Sequence, residues 1–182
     1  MKVIKEETFS KYSTQINLIS FLPKEVTMYI QQLESDIPED CIYQNKDNEY
    51  GRERGIHCTV FYGLTNVSEY SEMKKAVNSF GVINDISFGQ INSFRNNGKQ
   101  PYDVLKVEII SEKLSQLHYY IKDNFENEDN FPVYEPHMTL AYVKPNTCTN
   151  MEGNWLYEGL HFSVSMIWWC SRSGTEYPMP LY

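Results

Sequence analysis

Cysteine pairs, signal-like segments and long apolar runs are missing from this sequence, and each absence excludes a class of protein. Its four cysteines form no Cys-x-x-C pair, which argues against a disulfide framework or a zinc site. The N-terminal segment MKVIKEETFSKYSTQ carries acidic residues where a signal peptide needs an apolar centre, and no apolar run approaches the length that spans a bilayer. We therefore expect a cytoplasmic protein that does not contact membranes.

Positive charge is also scarce. Lysine and arginine together number 16, against 24 aspartates and glutamates, so the net charge is −8. A long nucleic acid or an anionic membrane attracts basic surfaces, so neither is an expected partner. A small anionic ligand in a locally basic cleft is compatible with this charge. The content of 41% hydrophobic and 14% aromatic residues is that of a folded chain, and we expect one domain over residues 1–182.

Apolar periodicity predicts six strands and three helices. The strands are expected at 13–21, 56–64, 86–94, 102–110, 133–143 and 161–171, and the helices at 23–37, 70–80 and 111–125. An Asn-Gly pair between the third and fourth strands indicates a hairpin. Ser111 is a candidate helix N-cap, and Gly81 a candidate helix end. The order of these elements predicts an α+β fold with internal pseudo-symmetry.

A six-residue pattern, His-x-Thr-aliphatic-x-Tyr, occurs twice. Its copies are HCTVFY at 57–62 and HMTLAY at 137–142. A single His-x-Thr pair most often belongs to a solvated sheet face. Threonine fills nine of 182 positions, so about one histidine in twenty should have a threonine two residues later by chance, whereas two of the four histidines do. The recurrence therefore favours a functional pair.

Strict alternation along a strand predicts which side chains of the twin motif share a face. The two sets are His57, Thr59 and Phe61 in the first copy, and His137, Thr139 and Ala141 in the second. The other two histidines fit structural roles better. His161 is followed by neither the threonine nor the tyrosine, and His118 lies in the third predicted helix among acidic residues and tyrosines.

Two histidines that face each other across a cleft suit acid–base chemistry at phosphorus. The unperturbed pKa of histidine is about 6.5, so near neutral pH one imidazole can accept a proton while the other donates one. One histidine would activate an attacking hydroxyl, and the other would protonate the departing oxygen. The threonine hydroxyls would donate hydrogen bonds to the non-bridging phosphate oxygens. No metal or cofactor is expected, because the sequence has no evident cluster of metal ligands.

The twin motif resembles the 2H phosphoesterase superfamily. Within it, the chain is similar to phage phosphodiesterases that degrade the cyclic nucleotide signals of bacterial CBASS immunity. The similar stretches are YSTQINL, YGRERGIH, HCTVFYGL, YDVLKVEI, PHMTLAYVKP and FSVSMIWWCSRSG. The resemblance implies a bilobal, pseudo-two-fold, LigT-like fold, in which two antiparallel sheets flank a central cleft and helices lie outside. It also implies a metal-independent phosphodiesterase that opens cyclic di- or trinucleotides in an infected bacterial host.

The resemblance assigns roles to four residues. His57 and His137 would be the acid–base pair, with His57 preferred as the base and His137 as the acid, and Thr59 and Thr139 would hold the phosphate. One departure from the family pattern is Cys58, which stands where an aliphatic residue is more common.

Base recognition would need aromatic platforms or arginine planes. The candidates are Tyr12, Tyr50, Trp155, Trp168 and Trp169, together with Arg52 and Arg54, which stand just before the first motif. The strand aromatics among them could equally be core residues. The two arginines could equally form salt bridges with Glu49 and Glu53.

Two alternative functions use the same residues. A 2′,3′-cyclic phosphodiesterase or 2′-5′ RNA ligase-like enzyme of RNA ends would need the same histidines and threonines, although an acidic chain is poorly suited to gripping a long RNA. A non-catalytic protein that sequesters cyclic nucleotides is the other alternative. Replacing either histidine should abolish turnover in an enzyme but leave sequestration largely intact.

Overall fold

The fold consists of strands and helices in the computed structural model, which describes residues 14–19, 24–45, 50–65, 70–96, 98, 100–129, 131–155, 160–170 and 175–182. The helices are α1 (Lys24–Asp36), α2 (Tyr70–Ser79) and α3 (Glu112–Asn124), and a short 3-10 helix spans Glu39–Cys41. The strands are β1 (Thr14–Ile19), β2 (His57–Leu64), β3 (Ile83–Phe94), β4 (Asp103–Ile110), β5 (His137–Val143), β6 (His161–Val164), β7 (Met166–Cys170) and β8 (Glu176–Pro180). This composition confirms the α+β class.

The strands form two antiparallel halves that meet at a narrow joint. Their order is β6-β3-β4-β5-β2-β1-β7-β8, and every strand pairing is antiparallel. Between β5 and β2, the two central strands, the pairing is a single residue pair, Cys58 with Met138. The four strands on each side of that pair correspond to the two predicted sheets, although the joint makes their order continuous.

Local signals set the ends of the helices. The Ser111 hydroxyl accepts a hydrogen bond from the backbone amide of Leu114, so it caps α3 as predicted. Gly81, with φ of 65°, follows α2 in the left-handed conformation that glycine adopts without strain. The helices pack apolar faces on the strands, with α3 against β2 and β3, α2 against β8, and α1 against β5. None of the helices described is long and apolar enough to cross a membrane.

The C-terminal strands differ from the prediction. The expected strand at 161–171 is two strands, because β6 pairs with β3 in one half whereas β7 pairs with β1 in the other. Only Ser165 separates them. The buried positions change phase there, from Phe162 and Val164 to Ile167 and Trp169. The sequence prediction also missed β8, an edge strand whose two prolines obscure its pattern.

Candidate active site

The twin motif lies at the joint between the two halves. Cys58 and Met138 pair there and are both fully buried. Antiparallel register then places His57 across from Thr139, and Thr59 across from His137. All four side chains point away from the core and are partly exposed. A pseudo-two-fold axis through the central pair therefore exchanges one motif for the other.

Each catalytic candidate histidine is held by the same hydrogen bond. The Nδ1 of His57 lies 2.5 Å from the carbonyl oxygen of Gly55, and the Nδ1 of His137 lies 2.6 Å from that of Glu135. A carbonyl oxygen can only accept, so each Nδ1 must carry a hydrogen. In both neutral rings the lone pair is then on Nε2, which is left to exchange protons with a ligand.

A β-bulge interrupts each copy of the motif at its aliphatic residue. The register skips Val60 in the first copy and Leu140 in the second. The flanking pairs are Asn17 with Thr59 and Ile16 with Phe61 in the first half, and Lys106 with Thr139 and Leu105 with Ala141 in the second. One extra residue reverses the alternation of side chains beyond it. The bulges are therefore at equivalent positions in the two halves.

The bulges correct the predicted faces. Phe61 and Ala141 were expected beside the histidines, but both are buried in the core. Tyr62 and Tyr142 take their places on the histidine face, where Tyr62 is 44% exposed and Tyr142 is partly exposed. This explains the spacing of the motif, because only with a bulge at the fourth position does the tyrosine share a face with the histidine and threonine.

Two side chains, the buried His118 and the partly buried Tyr134, support the first bulge. The Nδ1 of His118 donates to the carbonyl oxygen of Val60 over 2.8 Å, and the Tyr134 hydroxyl donates to that of Thr59 over 2.9 Å. The two rings stack with centroids 3.9 Å apart. At the second bulge the partner is a backbone group: the amide of Glu53 donates to the Leu140 carbonyl oxygen over 2.9 Å. His118 therefore has a structural contact, as the sequence suggested.

The surroundings of His137 favour its neutral form. Burial is the largest influence and lowers the pKa of His137, while the hydrogen bond to the Glu135 carbonyl raises it. The electrostatic influence of Lys106 and His57 lowers this pKa further, whereas the charge of Glu135 raises it. The ring also meets the Phe94 ring edge-on, at 4.8 Å and 87°. A neutral imidazole can accept a proton, which is the property that a general base needs.

A cavity of about 600 Å³ adjoins Thr59 and His137. Its walls are mainly apolar and include Tyr62, Phe94 and Phe131. Sequence reasoning missed all three as ligand-binding candidates. Tyr62 could have been found from its repeated place in the motif, and Phe131 from its place in the apolar segment FPVY before the second motif.

The predicted base-binding residues are dispersed. Trp168 pairs with Asn17, which pairs with Thr59, so the register places Trp168 on the histidine side of the sheet. Tyr50 packs against Tyr142, with ring centroids 5.1 Å apart. Trp155 is exposed and bridges to β3. Tyr12 lies outside the described residues.

One of the predictions for base binding is wrong, and another residue has structural contacts. Trp169 is buried in the core, so its ring cannot serve as an open platform. Arg52 is bound to the C-terminal end of α1, where its guanidinium donates to the carbonyl oxygens of Glu34 and Ile37 and forms a 2.5 Å ion pair with Glu39. The Arg52 side chain is 32% exposed, and its use as a stacking plane for a nucleobase stays a prediction. Arg54 is exposed beside Glu53.

The α+β architecture and the twin His-x-Thr strands together define a LigT-like fold, and comparison with solved structures confirms it. TT0787 of Thermus thermophilus is 12% identical, with a TM-score of 0.55 over 92% of this chain and 97% of that one. LigT of E. coli, in its apo form, is 12% identical, with a TM-score of 0.55 over 95% and 96%. LigT complexed with 3′-AMP is 14% identical, with the same TM-score and coverage. No protein-family model and no curated protein matches the chain.

Proposed function

We propose that this protein is a metal-independent 2H-type phosphodiesterase that opens 3′-5′ linked cyclic di- and trinucleotides. Its biological role would be phage counter-defence, in which it degrades CBASS signals in the cytoplasm of an infected bacterial host. One observation carries the proposal. Two imidazoles lie on the same face of the joint, each oriented by a carbonyl oxygen two residues earlier and each across from a threonine.

The proposed reaction forms one P–O bond and breaks another. The ribose 2′-hydroxyl beside the scissile phosphate attacks phosphorus and gives its proton to Nε2 of one histidine. The other histidine is protonated and gives its Nε2 proton to the departing 5′ oxygen. The product is a linear oligonucleotide that ends in a 2′,3′-cyclic phosphate, and solvent restores the two protonation states. Each proton transfer contributes about 10² to 10⁴ in rate.

The threonines are suited to the charge that develops during this reaction. Thr59 lies across from His137, and Thr139 across from His57, so a phosphate bound between the two histidines would lie between the two hydroxyls as well. Non-bridging oxygens gain negative charge as the fifth bond to phosphorus forms. Hydroxyl donors already held on a rigid strand stabilise that charge without reorganising.

The cavity supports a ligand with flat bases. A volume of about 600 Å³ is within the usual range of small-ligand sites, roughly 300 to 1,000 Å³. Stacking of a base on an aromatic ring contributes about 1 to 3 kcal/mol, and Tyr62, Phe94 and Phe131 provide such rings. One similar solved structure is LigT complexed with 3′-AMP, which adds support for a nucleotide ligand.

The decisive experiment is a substrate panel. The purified protein is incubated in excess EDTA with 3′,3′-cyclic dinucleotides, cyclic triadenylate and adenosine 2′,3′-cyclic phosphate, and the products are resolved by mass. We expect the cyclic oligonucleotides to open. Cleavage of the mononucleotide alone would instead indicate an RNA-end enzyme. Tight binding without cleavage would indicate a sequestering protein.

A further inference from the structure

Among the described residues, Lys106 is one departure from the pseudo-symmetry of the site. The histidines, their carbonyl partners, the threonines, the bulges and the tyrosines all recur in both halves. Lys106 of β4 pairs with Thr139, and the equivalent partner of Thr59 is Asn17 of β1, an uncharged residue type. The two histidines therefore differ in their electrostatic surroundings although their backbone settings match.

The position of Lys106 is unusual for a lysine. Lys106 is only 3% exposed to solvent. Its Nζ lies 4.0 Å from the centroid of the Phe94 ring and 3.3 Å from a carboxylate oxygen of Glu135. Phe94 in turn contacts His137 edge-on. Glu135 has a side chain that is 59% exposed, so water weakens its compensation of the buried charge.

An apolar side chain at this buried position would be less costly in folding free energy. Removing an ammonium group from water is unfavourable unless strong partners replace the water. The register directs Lys106 towards the histidine face, since residues that pair across strands point the same way and Thr139 is on that face. A buried cation beside one of two equivalent histidines has a specific consequence: it disfavours a second positive charge there.

Other charged groups also face His137. Glu108 of β4 pairs with it directly, but its carboxylate accepts hydrogen bonds from the Asn92 side chain and the Gln90 amide. Glu135 precedes it on its own strand, and His57 faces it from β2. Across the cavity, His118 lies 3.9 Å from Asp129, whose carboxylate forms a 2.8 Å ion pair with Lys122. Among the described residues, Lys106 is thus a cation near His137 whose equivalent position in the other half holds the uncharged Asn17.

We propose that Lys106 is a positioning residue that makes His137 the general base and leaves His57 as the general acid. This assignment rests on the proposed phosphodiesterase function, and it reverses the roles expected from the sequence. His137, kept neutral, takes the proton of the attacking 2′-hydroxyl. His57, protonated, supplies the proton to the 5′ oxygen.

The test measures kcat/KM against pH on the cyclic nucleotide that the wild-type enzyme opens fastest. Lys106→Met keeps an unbranched side chain of similar length but removes the positive charge. The pKa of His137 should then rise, and the acidic limb of the profile should move to higher pH. Glu135→Gln removes a carboxylate that favours the imidazolium, so the same limb should move to lower pH. Lys75→Met, on the exposed face of α2, should move neither limb.

Opposite shifts from two neighbouring substitutions are a result that a merely structural role of Lys106 would not produce. If Lys106→Met moves the basic limb instead, His137 is the acid and the assignment is overturned. If it moves neither limb, Lys106 has no such role.

A second measurement separates this inference from the proposed function. The imidazole resonance of His137, assigned by its loss in His137→Ala, is titrated by NMR in the wild type and in Lys106→Met. A higher midpoint in Lys106→Met supports the electrostatic role even if none of the cyclic nucleotides is a substrate. An unchanged midpoint overturns it even if the enzyme is active.

Discussion

Two hydrogen bonds from imidazole to backbone determine what the histidines can do. Because Gly55 and Glu135 offer carbonyl oxygens to Nδ1, both rings present Nε2 to a ligand in the same tautomer. The other two histidines have different settings. His118 is buried, and His161 is exposed on the edge strand β6. The structure thus provides a control residue within the same chain.

Substitution of either histidine of the motif should remove most of the activity. We expect His57→Ala and His137→Ala each to lower kcat by about 10² to 10⁴ with the fold intact, because each removes one proton-transfer group. His161→Ala should retain wild-type turnover. Rates on the opened cyclic nucleotide, together with thermal melts of each variant, test this. Near-normal turnover in either motif variant would contradict two-histidine catalysis.

At the scale of elements, the bulges place the histidine, threonine and tyrosine of each motif on one face of the sheet. A bulge leaves backbone groups outside the regular strand ladder, and these need other partners when they are buried. The first bulge obtains partners from α3 and from the segment before β5, through His118 and Tyr134. Helix α3 is therefore joined to β2 by a hydrogen bond as well as by apolar packing.

Removal of the imidazole at 118 should destabilise the protein. His118→Phe keeps a ring for packing but leaves the Val60 carbonyl without its donor, and we expect the free energy of unfolding to fall by about 1 to 3 kcal/mol. His161→Phe makes the same chemical change at an exposed position and should alter stability by at most about 0.5 kcal/mol. Chemical denaturation measures both. Equal stability of the two variants would refute the supporting role of His118.

The same residue should make stability depend on pH. Burial lowers the pKa of His118, and the Val60 carbonyl and Asp129 only partly oppose this. The unfolded chain, with a histidine pKa of about 6.5, then binds protons more readily than the folded one. The contribution of His118 is present above that pH and is lost as the pH falls towards the folded pKa. Denaturation at several pH values should show this loss, and its slope should be smaller in His118→Phe.

At the scale of the whole molecule, the C-terminal strands connect the two halves. The chain passes from β6 to β7, and so from one half to the other, through Ser165 alone. The amide of Leu181 donates to the Ser165 carbonyl over 2.8 Å, which attaches the segment after β8 to this crossing point. Met179 and Leu181 are both buried. Met179 and Leu181 are therefore part of the core, whereas Tyr182 is exposed.

Truncation of a core side chain in β8 should be costly. We expect Met179→Ala to lower the free energy of unfolding by about 2 to 5 kcal/mol, because it removes a fully buried side chain. Tyr182→Ala, at a position that is 83% exposed, should have little effect. Urea denaturation compares the two. A loss for Met179→Ala no larger than that for Tyr182→Ala would show that β8 does not contribute to the core.

The elements that sequence analysis predicted well have local causes. Ser111 caps α3 and Gly81 follows α2 because capping and positive φ depend on residues a few positions away. The hairpin of β3 and β4 was predicted as well, and its two strands are neighbours in the sequence and in the sheet. The break at Ser165 was missed because both β6 and β7 have strand character, and only their partners in opposite halves distinguish them.

The sequence alone determined the twin motif, the strands that carry it and the α+β class, because each depends on residue types within a short window. Tertiary structure decided the rest. It placed Tyr62 and Tyr142 beside the histidines, since a bulge is visible only against a partner strand. It also placed Lys106 of β4 beside the second motif, where it pairs with Thr139. The register between strands cannot be predicted from residues a few positions apart. It is the register that gives the two similar motifs different neighbours.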